Sequence, residues 1–307
     1  MGLKEFLQDE GSVKVGLWVG KHIPLPEGHR LALRIGAYIA RKRGSIMVRN
    51  VKVNQWVISG GTANREMLDH ICKKVIQNLV TAQYEYFYYL QHKEEGLKRM
   101  ILMPEVEIML DEILEQKKPT ILLGPHMGNF DLFGMMLAWL GLRPLVLSYP
   151  NPNNAYKAQN ALREDSGLKV RPLTFTAFRT GKKYLKEGKT VVTGIDRPVE
   201  TGDLKYGVNF FGHRANLPAF YIRLAQETGA VARIAYGMPQ KDGKFRFDCS
   251  APIDFENYQD PTENSIRNLE KVVTYLEKII RAEPAMWAMF HPVWPDVYKL
   301  IDPDLLR

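Results

Sequence analysis

Apolar residues recur along this chain with two different periods, and the change falls near Pro119. Before it, spacings of three and four dominate and predict helices. Residues 29–43 place Leu31, Ile35 and Tyr38 on one face, with Arg30, Arg34 and Arg41 along the neighbouring side. Such a helix either faces a core with basic flanks or lies in a lipid interface. Residues 66–90 carry a stripe of Met67, Ile71, Val75 and Leu79, then a dense aromatic end of Tyr84, Tyr86, Phe87, Tyr88 and Tyr89. Rings at that density suit packing better than a ligand cage. A third helix is predicted over 105–116, with Val106, Met109, Leu110 and Ile113 on one side.

After Pro119, short apolar runs alternate with helical patterns. Strands are predicted at 120–124, 144–148, 168–175 and 190–195. The helices between them, at 130–140, 154–166 and 177–187, stop at Gly141, Gly167 and Gly188. A polar loop over 197–206, a short strand at 208–211 and a helix at 218–228 stopped by Gly229 follow. Strands at 230–236 and 244–249, joined at Lys241-Asp242-Gly243, read as a hairpin at the sheet edge, and a last helix covers 263–282. This alternation specifies an α/β fold: a mainly parallel sheet flanked by helices on both faces, preceded by an N-terminal helical region. Residues 1–118 are expected to form that membrane-associating region, packed on a core of residues 119–307 as one structural unit. Ligands of such sheets gather at the carboxyl ends of the strands. His126, residues 149–154 and Asp196 directly follow strands, so they should open on one rim.

Composition narrows the class. A chain of 307 residues with 45 % hydrophobic and 25 % charged residues is an ordinary folded protein. Cys72 and Cys249 have neither disulfide-framework nor metal spacing and read as buried thiols. The net charge of +8 is uneven: residues 1–52 hold ten basic and four acidic side chains. Such a region suits anionic lipid, an acidic carrier protein or nucleic acid, or is a solvated face, but no nucleic-acid reader motif accompanies it. No secretory leader is readable over residues 1–11, and no run approaches the ~18 apolar residues of a membrane span. Any membrane contact is expected to be peripheral.

The segment from Ile121 to Asp131 carries the candidate chemistry. A strand runs into a Gly-Pro turn, then His126, Gly128, and a helix with Asp131 in its first turn. Asp131 could hold one ring nitrogen and leave the other as a general base. Gly128 permits close approach, and the helix N-terminus offers N–H groups to an oxyanion. There is no Gly-x-Ser-x-Gly elbow, no His-Glu-x-x-His, no Gly-x-Gly-x-x-Gly and no Walker loop. Neither a resident metal nor a cofactor is therefore expected. A base without its own nucleophile points to direct transfer onto a substrate hydroxyl.

His126-Met127-Gly128-Asn129-Phe130-Asp131 resembles the His-x-x-x-x-Asp/Glu motif of the lysophospholipid acyltransferase superfamily. More narrowly it resembles the bacterial lipid A biosynthesis acyltransferases and the related phosphatidylinositol-mannoside acyltransferases. Arg49-Asn50-Val51 and the helix from Glu66, Arg163, Asp196-Arg197-Pro198, Phe210-Phe211-Gly212, the run from Arg223 to Ala230, and the stretch from Pro284 to Trp294 extend the likeness. The resemblance implies a glycerolipid-acyltransferase-like fold and an O-acyltransferase. The donor would be acyl-CoA or acyl carrier protein, the acceptor a membrane glycolipid or lysophospholipid, and the location the cytoplasmic face of the inner membrane. It implies His126 as general base, Asp131 as its orienting partner, Gly128, Asn129 and Arg163 around the oxyanion, and Asp196 and Arg197 on the polar headgroup. Phe210, Phe211, Trp287 and Trp294 fit packing better than lipid contact. Many relatives carry an N-terminal transmembrane helix and this chain shows none, which leaves Arg30–Arg49, residues 15–19 and Trp18 to touch the membrane. A thioesterase on the same site and a non-catalytic lipid-binding homologue are the alternatives.

Overall fold

The computed structural model describes residues 9–199 and 207–306, so the loop expected over 197–206 is described only as far as Val199. The N-terminal region is α1 (Glu10–His22), α2 (Leu25–Ala40), α3 (Ile46–Ile58), α4 (Arg65–Gln91) and α5 (Lys93–Lys98). Among the described residues no helix is long and apolar enough to cross a membrane. Helix α2 packs along α4 with a face rotated about a quarter turn from the one its large apolar residues suggest. Gly28, Ala32 and Gly36 are buried, while Leu31, Ile35 and Tyr38 are exposed. The small residues let backbones approach: a Cβ at Gly36 would lie 2.6 Å from the Cα of Gln77. The stripe expected on α4 is likewise rotated. Leu68, Cys72, Val75 and Ile76 are buried and Met67 is exposed. The aromatic end of α4 is core, as expected, with Tyr89 edge-on to Phe245. Both cysteines are buried, and desolvation pushes each thiol up to about 12.

The sheet follows from β1 (Met100–Leu102) and β2 (Thr120–Gly124) through β3 (Leu145–Ser148), β4 (Lys169–Pro172) and β5 (Thr190–Gly194) to β8 (Val231–Pro239) and β9 (Phe245–Cys249). Its order is β1-β9-β8-β2-β5-β3-β4, parallel throughout except between β8 and β9. The β8–β9 hairpin is as expected, but it is not at the edge, because β1 adds parallel to β9 outside it. A separate antiparallel pair forms from β6 (Val208–Phe210) and β7 (His213–Ala215).

Helices cover both faces. Side chains alternate along each strand, so Leu122 packs with α6 (Pro104–Leu114) and α7 (Phe130–Trp139) on one face. α8 (Asn154–Asp165) joins that layer. Ile121 and Leu123 pack with α9 (Phe175–Lys186), α10 (Phe220–Thr228) and α11 (Pro261–Ala282) on the other. Phe210, Phe211, Trp287 and Trp294 lie in that second cluster, so the packing expected of them holds. Residue 175 opens a helix and does not end a strand: the Thr174 side chain caps α9 by accepting the N–H of Ala177.

Candidate active site

The site grows from strand register. β2 and β5 are parallel neighbours with Gly124 opposite Gly194. Two residues beyond each glycine stand His126 and Asp196, so the same register brings them together. Nδ1 of His126 lies 2.6 Å from Oδ1 of Asp196, and the His126 main-chain N–H donates to Oδ2 at 2.8 Å. The indole N–H of Trp287 donates to Oδ2 at 2.8 Å. Asp196 is completely buried, and three donors hold its carboxylate in one orientation.

The titration of the pair follows from this packing. Burial opposes charge on both groups. For His126 the charge and hydrogen bond of Asp196, helped by the charge of Asp131 and opposed by Arg197, outweigh burial and raise the pKa. For Asp196 the imidazole, the Trp287 bond and the main-chain bond outweigh burial and hold the pKa below the usual carboxylate value. The carboxylate fixes the tautomer with the proton on Nδ1, which leaves Nε2 to accept.

The histidine loop is clamped from the C-terminal segment. The Ala288 N–H donates to the His126 carbonyl at 2.8 Å, and the Gly128 N–H donates to the Met286 carbonyl at 2.9 Å. Gly128 has φ +57°, and a Cβ there would lie 2.2 Å from the Gly237 carbonyl oxygen. Only glycine fits that approach. Side-chain amides of α3 anchor the clamping segment in turn. Asn50 donates to Phe290 O at 2.7 Å, Asn54 to Met289 O and His291 O at 3.1 and 3.0 Å, and Gln55 to Pro284 O at 2.9 Å.

Several expected roles change. Asp131 makes no hydrogen bond to the imidazole; its carboxylate pairs with Arg163 and accepts from Gln159 at 2.9 Å. Arg163 is thus committed to a partly buried ion pair that ties α8 to α7. Asp196 faces the histidine and not a headgroup. The Gly128 N–H expected to meet an oxyanion is already spent on Met286. Asn129 is expected to serve the oxyanion through its main-chain N–H; its side chain caps α7 by accepting from Leu132 N–H and donates to Glu85 at 2.9 Å and Ala82 O at 3.1 Å. Arg197 does reach the rim, 3.6 Å above the Tyr149 ring. Trp287 does more than the packing expected of it, because its indole N–H also holds the acid.

A cavity of about 640 Å³ opens beside the ring, and His126, Asp131, Arg163 and Arg197 line it. That is within the ~300–1,000 Å³ of small-molecule sites. Its walls are mainly apolar: Phe130, Phe133 and Leu137 from α7, Leu122, Val146 and Val192 from the sheet, and Pro144 and Leu168 from the loops before β3 and β4. The imidazole side chain is 28 % exposed, so it meets this space while its partner stays dry. A base lining an apolar cavity can deprotonate a group whose partner substrate carries a hydrocarbon tail.

Comparison with known proteins fits this geometry. A family model described as bacterial lipid A biosynthesis acyltransferase matches residues 13–295. A phosphatidylinositol mannoside acyltransferase of Mycobacterium tuberculosis (strain ATCC 25618 / H37Rv) is 26 % identical over 190 residues, 60 % of this chain and 57 % of that protein. One of Mycolicibacterium smegmatis is 29 % identical over 121 residues, 38 % of this chain and 39 % of its own length. The match thus spans little more than half of the first relative and less than half of the second.

Proposed function

We propose that this chain, which belongs to the bacterial lipid A biosynthesis acyltransferase family, moves a fatty acyl group from a thioester to a hydroxyl of a glycolipid. The observation that carries the reading is the His126–Asp196–Trp287 chain of hydrogen bonds beside an apolar cavity. Nε2 of His126 takes the proton of the acceptor hydroxyl, and the resulting alkoxide attacks the thioester carbonyl. The oxyanion of the tetrahedral intermediate forms near the amino end of α7, whose Phe130 ring is 4.9 Å from the imidazole. As the C–S bond breaks, the imidazolium returns the proton to the leaving thiolate. Asp196 stabilises the imidazolium in between and keeps its own charge.

The donor is acyl-CoA or an acyl carrier protein, with the hydrocarbon in the cavity. The acceptor is a glycolipid by analogy with the relatives' names, and Arg197 at the rim suits an anionic headgroup. The protein works as a peripheral protein on an anionic membrane surface. On α2 the exposed Leu31, Ile35 and Tyr38 present an apolar face beside Arg30 and Arg34, and Trp18 of α1 is 60 % exposed. The test compares wild type with His126→Ala, using palmitoyl-CoA with and without phosphatidylinositol mannoside and reading thiol release and acylated lipid. Acceptor-dependent transfer by wild type and none by the variant is expected. Equal release without acceptor would indicate hydrolysis, and undiminished transfer by the variant would defeat the mechanism.

A further inference from the structure

We propose that Gly134 sets the length of acyl chain this cavity accepts; the proposal rests on the acyl-transfer reading and deepens it. Helix α7 buries every residue from Leu132 to Ala138 except Gly134. A Cβ built there meets nothing within 4 Å, although the helix lies inside the protein. The open space is the cavity, which Gly134 lines. Three glycines of the N-terminal helices have packing reasons. A Cβ would stand 2.2 Å from Phe87 at Gly16, 2.5 Å from the Phe87 backbone at Gly20, and 1.9 Å from Tyr84 at Gly28. Gly134 has none, yet glycine inside a helix is less favourable than alanine. What it provides is an unobstructed wall. The register partners Gly124 and Gly194 line the same cavity nearer the ring, where a Cβ at Gly194 would lie 3.3 Å from His126 Cε1.

Depth follows from helix geometry. Phe130 sits beside the imidazole. At about 1.5 Å per residue, Gly134 lies roughly 6 Å and Leu137 roughly 10 Å further along the α7 axis. Gly134 therefore stands about midway along the α7 wall, between Phe130 beside the reacting ring and Leu137. A side chain at 134 divides the cavity. A short acyl chain ends above the obstruction; a long one needs the space below it.

The experiment measures kcat/KM of the full chain for palmitoyl-CoA and butyryl-CoA with phosphatidylinositol mannoside as acceptor, in wild type, Gly134→Leu and Gly134→Ala. Each methylene kept out of an apolar cavity costs roughly fourfold. Leucine, displacing about three, should lower the palmitoyl-to-butyryl ratio roughly 60-fold. Alanine should lower it roughly fourfold while raising the melting temperature. An unchanged ratio in folded Gly134→Leu overturns the proposal. Should that variant fail to fold, an unchanged ratio in Gly134→Ala overturns it instead. Wild type that turns over neither donor removes the acyl-transfer reading and this proposal with it, whereas wild-type turnover with unaltered variant ratios removes only the role of Gly134.

Discussion

Asp196→Asn is the sharpest perturbation of the site. The carboxylate accepts three donors: Nδ1–H and the main-chain N–H of His126, and the indole N–H of Trp287. An asparagine amide has one oxygen. With that oxygen facing the two donors at the Oδ2 position, its NH2 group faces Nδ1. The ring then holds its proton on Nε2, where the substrate hydroxyl needs an acceptor. A wrong tautomer costs about 10⁴ in kcat, or about 5 kcal/mol of barrier. Asp131→Asn is the control. Asp131 acts on the ring through space and is bonded to Arg163 and Gln159, so its loss should cost about tenfold or less. The assay is thiol release from palmitoyl-CoA across pH. The raised pKa of His126 puts the acidic limb of kcat/KM above the ordinary 6.5, since the base form is lost as pH falls through it. Asp196→Asn should move that limb down as well as lowering the plateau; Asp131→Asn should move it less. A larger loss in Asp131→Asn than in Asp196→Asn, or an Asp196→Asn variant within tenfold of wild type, would refute the assignment.

Trp287→Phe removes one of the three donors to Asp196 and should lower kcat about tenfold, measured in the same assay with the fold checked by near-ultraviolet circular dichroism. Gly128→Ala drives a methyl toward the Gly237 carbonyl at positive φ; a loss above about 3 kcal/mol should appear as a Tm lower by roughly 6–12 °C. Tyr38→Asp, on the exposed face of α2, should weaken flotation with anionic vesicles about tenfold and leave Tm within a degree or two; unchanged flotation would place the membrane contact elsewhere. The His126–Asp196 pair also carries a pH-dependent stability. The raised His126 pKa means its contribution is full below 6.5 and lost as pH rises through the folded value; the lowered Asp196 pKa means its contribution is full above 3.8 and lost as pH falls through the folded value. Melting curves across pH should show a plateau between these limits that flattens in Asp196→Asn.

The strand–helix alternation after Pro119 is legible because each run is apolar, short and closed by a glycine such as Gly141 or Gly167. His126 is legible as a rim residue because it follows β2 directly. Its partner is not. Asp131 stands five positions away and Asp196 seventy, and nothing local says that β5 lies beside β2. The matching spacings Gly124-x-His126 and Gly194-x-Asp196 are the available signal, readable once strand order is known. Helix α3 escapes detection because Asn50, Lys52, Asn54 and Gln55 are buried and break the apolar period; their polar ends bond to a distant segment or to a nearby carboxylate. On α2 the large apolar residues draw attention from the four-residue repeat Gly28, Ala32, Gly36, which is the face that packs.

The clamp on the histidine loop bears on when activity can begin during synthesis. Residues 120–196 hold every strand needed to bring the acid to the base, yet the backbone partners of His126 and Gly128 lie at 286–288. A ribosome-bound chain that has not released this stretch has a half-braced imidazole and an acid short of one donor. Competence therefore arrives late, with the emergence of a single tryptophan and its neighbours. On the proposed function, the nascent chain gains its transfer chemistry only after the helices proposed to seat it on lipid have long since left the tunnel.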